Sequence, residues 1–362
     1  MTPEARECGF ELFGLPTPAR QETTRRNRRR MKRTREIALV AGMALWGWLV
    51  WRAGPETLLR YMEQVGWGML TLLGIAAARH AARSVACRWA MVDDRASFSY
   101  PEMYGILLIS EAIKFVAFAG LVFGESAKGL LLSRRVSAAR AVSSVVLDVA
   151  LYQVSAGVFL LAGAVVLAWR GPVAPELRKI LWISCGIVGA AVAVAGLGFA
   201  RGWRTTRRVL QRFGGSSSPT SRWGRWVALH GQKLSEAGGQ IGGFLHHHPG
   251  LFWGILIIDM AAHCASALEV LAALRLLGQP VSYAASVGVE ALTKLVRISG
   301  AVIPANVGAF EGGTALVAVA LGLPMAAGVA LGIVRQARSV LWAGLGFLVL
   351  LVWKGKETRA KS

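Results

Sequence analysis

Apolar residues run along this chain in long blocks separated by short basic or glycine-containing stretches. A helix needs about 20 mostly apolar residues to cross ~30 Å of hydrocarbon. Residues 180–200 meet that without a single charge, while 141–169 and 325–353 meet it with a few charges buried inside the block. Residues 67–92 and 250–277 qualify with more polar content. A shorter block, 37–51, ends at Arg52, whose long side chain can reach back to the interface. The pattern predicts an all-α polytopic membrane protein with about six full spans.

Two further apolar stretches, 102–123 and 283–311, must then avoid crossing. Lys and Arg collect on the cytoplasmic side of spans. Residues 20–35 hold nine basic side chains, 201–225 hold seven arginines and no acid, and the tail has Lys354, Lys356, Arg359 and Lys361. Six crossings put all three clusters, and so both termini, in the cytoplasm. A complete crossing by 102–123 with nothing returning would send Arg134, Arg135 and the arginine-rich loop outside. Each stretch is therefore expected to form part of a re-entrant helical hairpin, non-helical at its tip and shielded by protein or lining a wet cavity.

Composition removes other classes. The 362 residues carry a net charge of +21, yet 54% are apolar and only 17% charged, against about 25% charged in soluble domains. A soluble nucleic-acid binder of this charge would not be so apolar, and a disordered chain would have less to bury. Cys8, Cys87, Cys185 and Cys264 lie far apart with no CxxC pair, so neither a zinc site nor a disulfide framework is expected. His246, His247 and His248 are consecutive, which is poor ligand spacing, and no metal or cofactor is expected. The basic run before residue 37 has no small-residue cleavage site after its apolar block, so it is no signal peptide. Met31 is an alternative start.

The expected organisation is a basic, disordered cytoplasmic segment over 1–36, an integral membrane domain over 37–353, a cytoplasmic loop at 201–249 and a cytoplasmic tail over 354–362. Within the membrane domain two stretches resemble each other. Ser110-Glu111-Ala112-Ile113-Lys114 leads to Gly124-Glu125-Ser126-Ala127-Lys128, and Val289-Glu290-Ala291-Leu292-Thr293-Lys294 leads to Gly308-Ala309-Phe310-Glu311. Repeats at about 66–169 and 250–353 would run in opposite directions, an inverted arrangement that puts a site near the midplane in many transporters.

A charge at membrane depth costs about 2.5–3.5 kcal/mol and needs a partner or a purpose. The basic set is Arg79, Arg83, Lys114, Lys128, Lys294, Arg297, Arg335 and Arg338; the acidic set is Glu111, Glu125, Asp148, Asp259, Glu269, Glu290 and Glu311. Near-balance favours a paired network, with Glu111–Lys114 and Glu290–Lys294 at helical spacing as internal salt bridges holding the hairpins. Arg79 with Arg83, and Arg335 near Arg338, are like charges on one helix face and call for an anion. Lipid phosphate suits them, since guanidinium pairs bidentately with phosphate oxygens. Residues 303–313, with Pro304 and Gly308, should break a helix at depth. The amides of the next half-helix would then attract anions, or Glu311 at its start.

These residues carry a resemblance. Gly124-Glu125 with Lys128 and Asp148, and later Pro304 through Gly308 to Glu311, resemble the integral membrane domain of the lysylphosphatidylglycerol synthase/flippase family over roughly 37–353. Stand-alone members include a hopanoid-associated subgroup. The chain departs from the family pattern in having Leu121-Val122-Phe123, where Pro often precedes the first motif, and Pro304-Ala305-Asn306, where Pro-Gly-Gly often opens the second. The resemblance implies movement of a phospholipid or an isoprenoid/hopanoid-type lipid between the leaflets of a bacterial-type inner membrane. In two-domain members a separate soluble domain makes an aminoacylated lipid. This sequence ends at Ser362, directly after the last span, so lipid aminoacylation by it is not expected.

The expectation is a flippase-like transporter rather than an enzyme. Arg79, Arg83, Lys128, Arg297, Arg335 and Arg338 would bind headgroup phosphate, with Glu111, Lys114, Gly124, Glu125, Asp148, Glu290, Lys294, Pro304, Gly308 and Glu311 forming the hairpin and charge network. Its partners are membrane lipids, not nucleic acid. A membrane-embedded lipid-linked transferase is the alternative, with Asp93-Asp94 its only DxD-like pair, and a non-catalytic partner of lipid-biosynthesis enzymes is a third reading.

Overall fold

The computed structural model describes residues 43–117 except Trp46, 120–170, six residues between 178 and 189, 243–299 and 306–361. The expected N-terminal segment 1–36, nearly all of span 180–200, most of loop 201–249, part of span 37–51 and Pro304 lie outside the described residues. Within those residues the protein is all-helical. Its labelled helices are α1 Pro55–Val65, α2 Gly68–Trp89, α3 Tyr100–Val116, α4 Gly120–Leu132, α5 Ala138–Arg170, α6 Pro249–Leu276, α7 Tyr283–Ser299, α8 Ala309–Ala320 and α9 Met325–Lys361.

Among the described residues three helices are long and apolar enough to cross a membrane: Ala138–Trp169 of α5, Pro249–Leu276 of α6 and Met325–Trp353 of α9. Helix α2 is long enough at ~33 Å, but carries Arg79, Arg83 and Arg88. The stretches expected to be hairpins are each two helices separated by a break. At 1.5 Å per residue, α3 and α7 are ~25 Å long and α4 and α8 ~20 Å, all short of ~30 Å.

Local chemistry explains where the helices begin and stop. Ser99 and Glu102 form a reciprocal capping box at the start of α3, and Pro55 and Pro249 occupy first turns. Before α8 the chain passes through Asn306 at φ 56° and Gly308 at φ 77°, left-handed conformations that end any helix arriving from α7. At Gly124 the reason for glycine is proximity. The Ser110 hydroxyl donates to the Gly124 carbonyl at 2.9 Å, and a Cβ there would lie 2.7 Å from the Ser110 carbonyl oxygen. That contact brings α4 onto α3.

The two halves match element for element. Helices α2 and α6 have 22 and 28 residues, α3 and α7 17 each, α4 and α8 13 and 12, and α5 and α9 33 and 37. Packing repeats too: α2 lies on α6, α3 on α4, and α7 on α8. The long helices cross over, α9 covering α3 of the first half and α5 covering α7 of the second. Polarity is arranged inside out. Leu316, Leu348 and Trp253 are exposed, as Leu121, Val122 and Phe123 are, while Asp148, Asp259, Glu269, Lys128 and Arg335 are buried. Lipid is as apolar as leucine, so outward apolar side chains cost nothing there. Trp67, at the edge of α2, and Trp169, near the end of α5, are 87% and 75% exposed, as interface anchors are.

At the surface end of α3, Arg135 donates to Glu102 at 2.6 Å. That guanidinium, helped by the Ser99 amide, holds the Glu102 carboxyl at about 2, below its ordinary 4.5. Because the folded value is depressed, the stabilisation is present above pH 4.5 and fades as pH falls through 2. The pair is partly exposed, so Glu102→Gln should cost only about 0.2–1 kcal/mol at neutral pH. Thermal melts of the two proteins in detergent should converge as pH is lowered through that window; a constant gap would contradict the assignment.

Candidate functional site

The buried charges fall into two chains of alternating sign. The first runs Asp259–Arg83–Asp148–Lys128–Glu125–Lys114–Glu111, through α6, α2, α5, α4 and α3. Arg83 pairs with Asp259 and bonds Asp148 Oδ1 at 2.9 Å, and its guanidinium lies 4.3 Å over the Tyr152 ring. Lys128 donates to Asp148 Oδ2 at 2.7 Å, where the Cys87 thiol also donates at 3.1 Å. Lys114 bridges Glu125 at 2.6 Å and Glu111 at 2.9 Å. Four carboxylates against three cations leave this chain close to neutral, with one negative charge in excess.

The second chain runs Arg338–Glu269–Arg335–Glu290–Lys294, across α9, α6 and α7. Arg335 reaches Glu290 at 2.8 Å and Glu269 at 3.5 Å, and donates to the Thr293 hydroxyl at 3.3 Å. Lys294 closes the other side of Glu290 at 3.1 Å. Here three cations meet two carboxylates. Two more arginines, Arg79 and Arg297, have no carboxylate partner among the described residues. Arg297 instead stacks 4.1 Å over Phe310, and Arg79 touches His80 Nε2 at 3.5 Å.

A cavity of about 400 Å³ lies between the two chains. Its wall takes Arg79 and His80 from α2, Glu111 and Lys114 from α3, Glu290, Lys294 and Arg297 from α7, and Arg335, Arg338 and Trp342 from α9. Ala117 and Gly120, on either side of the first helix break, and Asn306, at the second, also line it. Both breaks therefore open onto one space. Six cations and two carboxylates make that space strongly positive, and the low dielectric of a membrane bundle magnifies the field.

Four of the six cations expected to meet a headgroup, Arg79, Arg297, Arg335 and Arg338, stand on this wall. Arg83 and Lys128 do not: they sit in the first ion chain, Lys128 only 2% exposed. Of the expected network, Glu111, Lys114, Glu290 and Lys294 are brought to the cavity with the two anticipated helical pairs made. Glu125 and Asp148 are interior to the first chain, and Gly124 lies at the α3–α4 contact. Glu311 is 1% exposed and off the wall, and its carboxylate accepts from the Gly308 amide at 2.8 Å, holding the start of α8. Asp94 of the DxD-like pair is salt-bridged to Arg140 at 2.9 Å, on the short 3-10 turn Val92–Ser97.

Sequence reading passed over His80, Tyr152, Ser266, Ser339 and Trp342, all on the wall, and took Asn306 only as part of the 303–313 helix break. For two of them a signal existed. Ser339 is one turn beyond Arg335 and Trp342 one turn beyond Arg338, so each extends a polar stripe on a largely apolar helix.

Comparison with known proteins gives one family. The family model described as "Lysylphosphatidylglycerol synthase TM region" matches residues 36–346, most of the chain and all of the cavity wall. No curated protein and no solved structure matches the chain.

Proposed function

Because the chain belongs to the lysylphosphatidylglycerol synthase TM region family, a family of membrane proteins, we propose that it is a flippase-like transporter: it carries a phospholipid or isoprenoid-type lipid between leaflets by admitting the headgroup to the cavity. The observation that carries this reading is the pair Arg79 and Arg297. Each sits in the bundle on the cavity wall without a carboxylate partner, which at membrane depth is costly unless a ligand supplies the anion. Acyl chains would stay in lipid while the headgroup crosses between the halves.

In this reading the matching halves form an inverted repeat with six full crossings, and the paired short helices are re-entrant hairpins whose tips meet at the cavity. Both termini are cytoplasmic in a bacterial-type inner membrane, where membrane lipids are the partners. No bond is made or broken. The two ion chains hold the hairpins, and the open face of the cavity alternates between leaflets.

The test is movement of fluorescent phospholipid and isoprenoid lipid across reconstituted vesicles, with the wild type beside Arg297→Gln and Arg79→Gln. Neither substitution orphans a carboxylate, so both proteins should fold. Accelerated movement in the wild type, reduced at least about tenfold in each variant, the worth of one charge-assisted hydrogen bond, is the expected result. Movement equal in all three proteins would remove the cavity from the transport path.

A further inference from the structure

Unmet hydrogen-bonding potential on the cavity wall is almost all of one kind. Arg79 Nε, Arg297 Nη2, Arg335 Nε, Arg338 Nε and Trp342 Nε1 are buried donors with no hydrogen-bond partner among the described residues, and they reach one space from α2, α7 and α9. One unmatched acceptor shares the wall, Asn306 Oδ1, whose amide nitrogen donates to the Arg297 carbonyl at 3.3 Å. Each buried, unsatisfied donor costs about 1–3 kcal/mol, which a ligand bringing acceptors relieves and a ligand bringing donors does not.

Charge narrows the ligand further. Both wall carboxylates are already taken: Glu111 by Lys114, and Glu290 by Lys294 and Arg335. Arg338 is matched by Glu269. The wall cations that have no carboxylate partner among the described residues are Arg79 and Arg297, two positive charges with planar donor forks. A phosphate monoester is their complement, with about −1.5 to −2 charge at pH 7 and three strong acceptor oxygens. A phosphodiester brings one charge and two such oxygens. An amine-bearing headgroup brings a cation and further donors to a wall that already has a surplus of both.

We propose that the cavity is a phosphate-monoester site that discriminates against diester and cationic headgroups. The monoester belongs either to a lipid ending in a terminal phosphate or to a small soluble phosphate. This deepens the headgroup-site reading above and rests on it for the lipid source alone.

The experiment measures binding to the purified full chain in detergent, by calorimetry, of dioctanoyl phosphatidic acid, dioctanoyl phosphatidylglycerol, dioctanoyl phosphatidylethanolamine and inorganic phosphate. Phosphatidic acid should bind at least about tenfold more tightly than phosphatidylglycerol, the worth of one charge-assisted hydrogen bond, with phosphatidylethanolamine weaker still. Arg79→Gln and Arg297→Gln should each erase that preference. Equal affinity for the monoester and the diester in the wild type overturns the proposal and leaves lipid transport standing. A preference that survives both substitutions assigns it to other residues and overturns it too. Inorganic phosphate binding as tightly as phosphatidic acid, with no lipid moved in vesicles, upholds the monoester site and removes the lipid reading. Binding of none of the four overturns both.

Discussion

Asp148→Ala destabilises the folded protein by about 3–5 kcal/mol, the loss that follows when one partner leaves a buried ion pair. Asp148 is 1% exposed and is the middle carboxylate of the first ion chain, accepting from Arg83, Lys128 and Cys87 at once. Its removal leaves Lys128 with Glu125 alone and Arg83 with Asp259 alone, and concentrates positive charge between α2, α4 and α5. Replacing Asp148 and Lys128 together by leucine and methionine should recover more than half of the loss, because the two charges leave as a pair. Denaturant titration of the purified variants, read by helix content, measures both effects. A single variant as stable as the wild type would mean that the chain contributes nothing to holding the bundle.

Arg335→Ala is expected to lose stability by a similar amount and headgroup movement with it. Arg335 is 3% exposed and lies between Glu269 and Glu290, so alanine takes one of two cations from each buried carboxylate, leaves Arg338 and Lys294 as their single partners and breaks the second ion chain at its centre. Arg297→Gln takes an ion-pair partner from neither. The contrast separates cations that hold the protein together from cations that hold its ligand: Arg297→Gln should melt within about 1 kcal/mol of the wild type, as ordinary substitutions away from buried pairs do, and still fail to transport. Thermal melting and vesicle assays on the same preparations decide it. Full transport by Arg297→Gln, or an unaltered melt for Arg335→Ala, would reverse the division of roles.

Much of the architecture was legible because it rests on local pattern. The apolar blocks at 141–169, 250–277 and 325–353 correspond to helices α5, α6 and α9, and the stretches 102–123 and 283–311, set apart by the placing of the basic clusters, contain the paired short helices of both halves. Ion pairs at i, i+3 and i, i+4, Glu111–Lys114 and Glu290–Lys294, are a property of helix geometry and could be read directly. The distant pairs could not. Arg83 and Asp259 are 176 residues apart in sequence, and only packing of α2 on α6 joins them. So a list of buried cations could not be divided into those already matched and those left over. Arg83 and Lys128 looked as available for phosphate as Arg79 and Arg297 because the counter-charge sits on another helix. Trp342 was passed over for a related reason: an indole in an apolar block signals nothing until its neighbours face a cavity.

The crossed packing of the long helices also has a consequence in time. Helix α3 is covered by α9, near the end of the chain, and α7 rests on α5 from the first half. Ribosomes add about 5–20 residues per second, so the 176 residues separating Arg83 from Asp259 take roughly 10–35 s to make. Until Asp259 is made Arg83 lacks one of its two carboxylates, and until α9 is made α3 lacks its cover. A chain cut before α9 leaves Glu269 without Arg335 and Arg338, Glu290 without Arg335, and α3 without its cover, so charges that the folded bundle buries stay unmatched at membrane depth, which is costly.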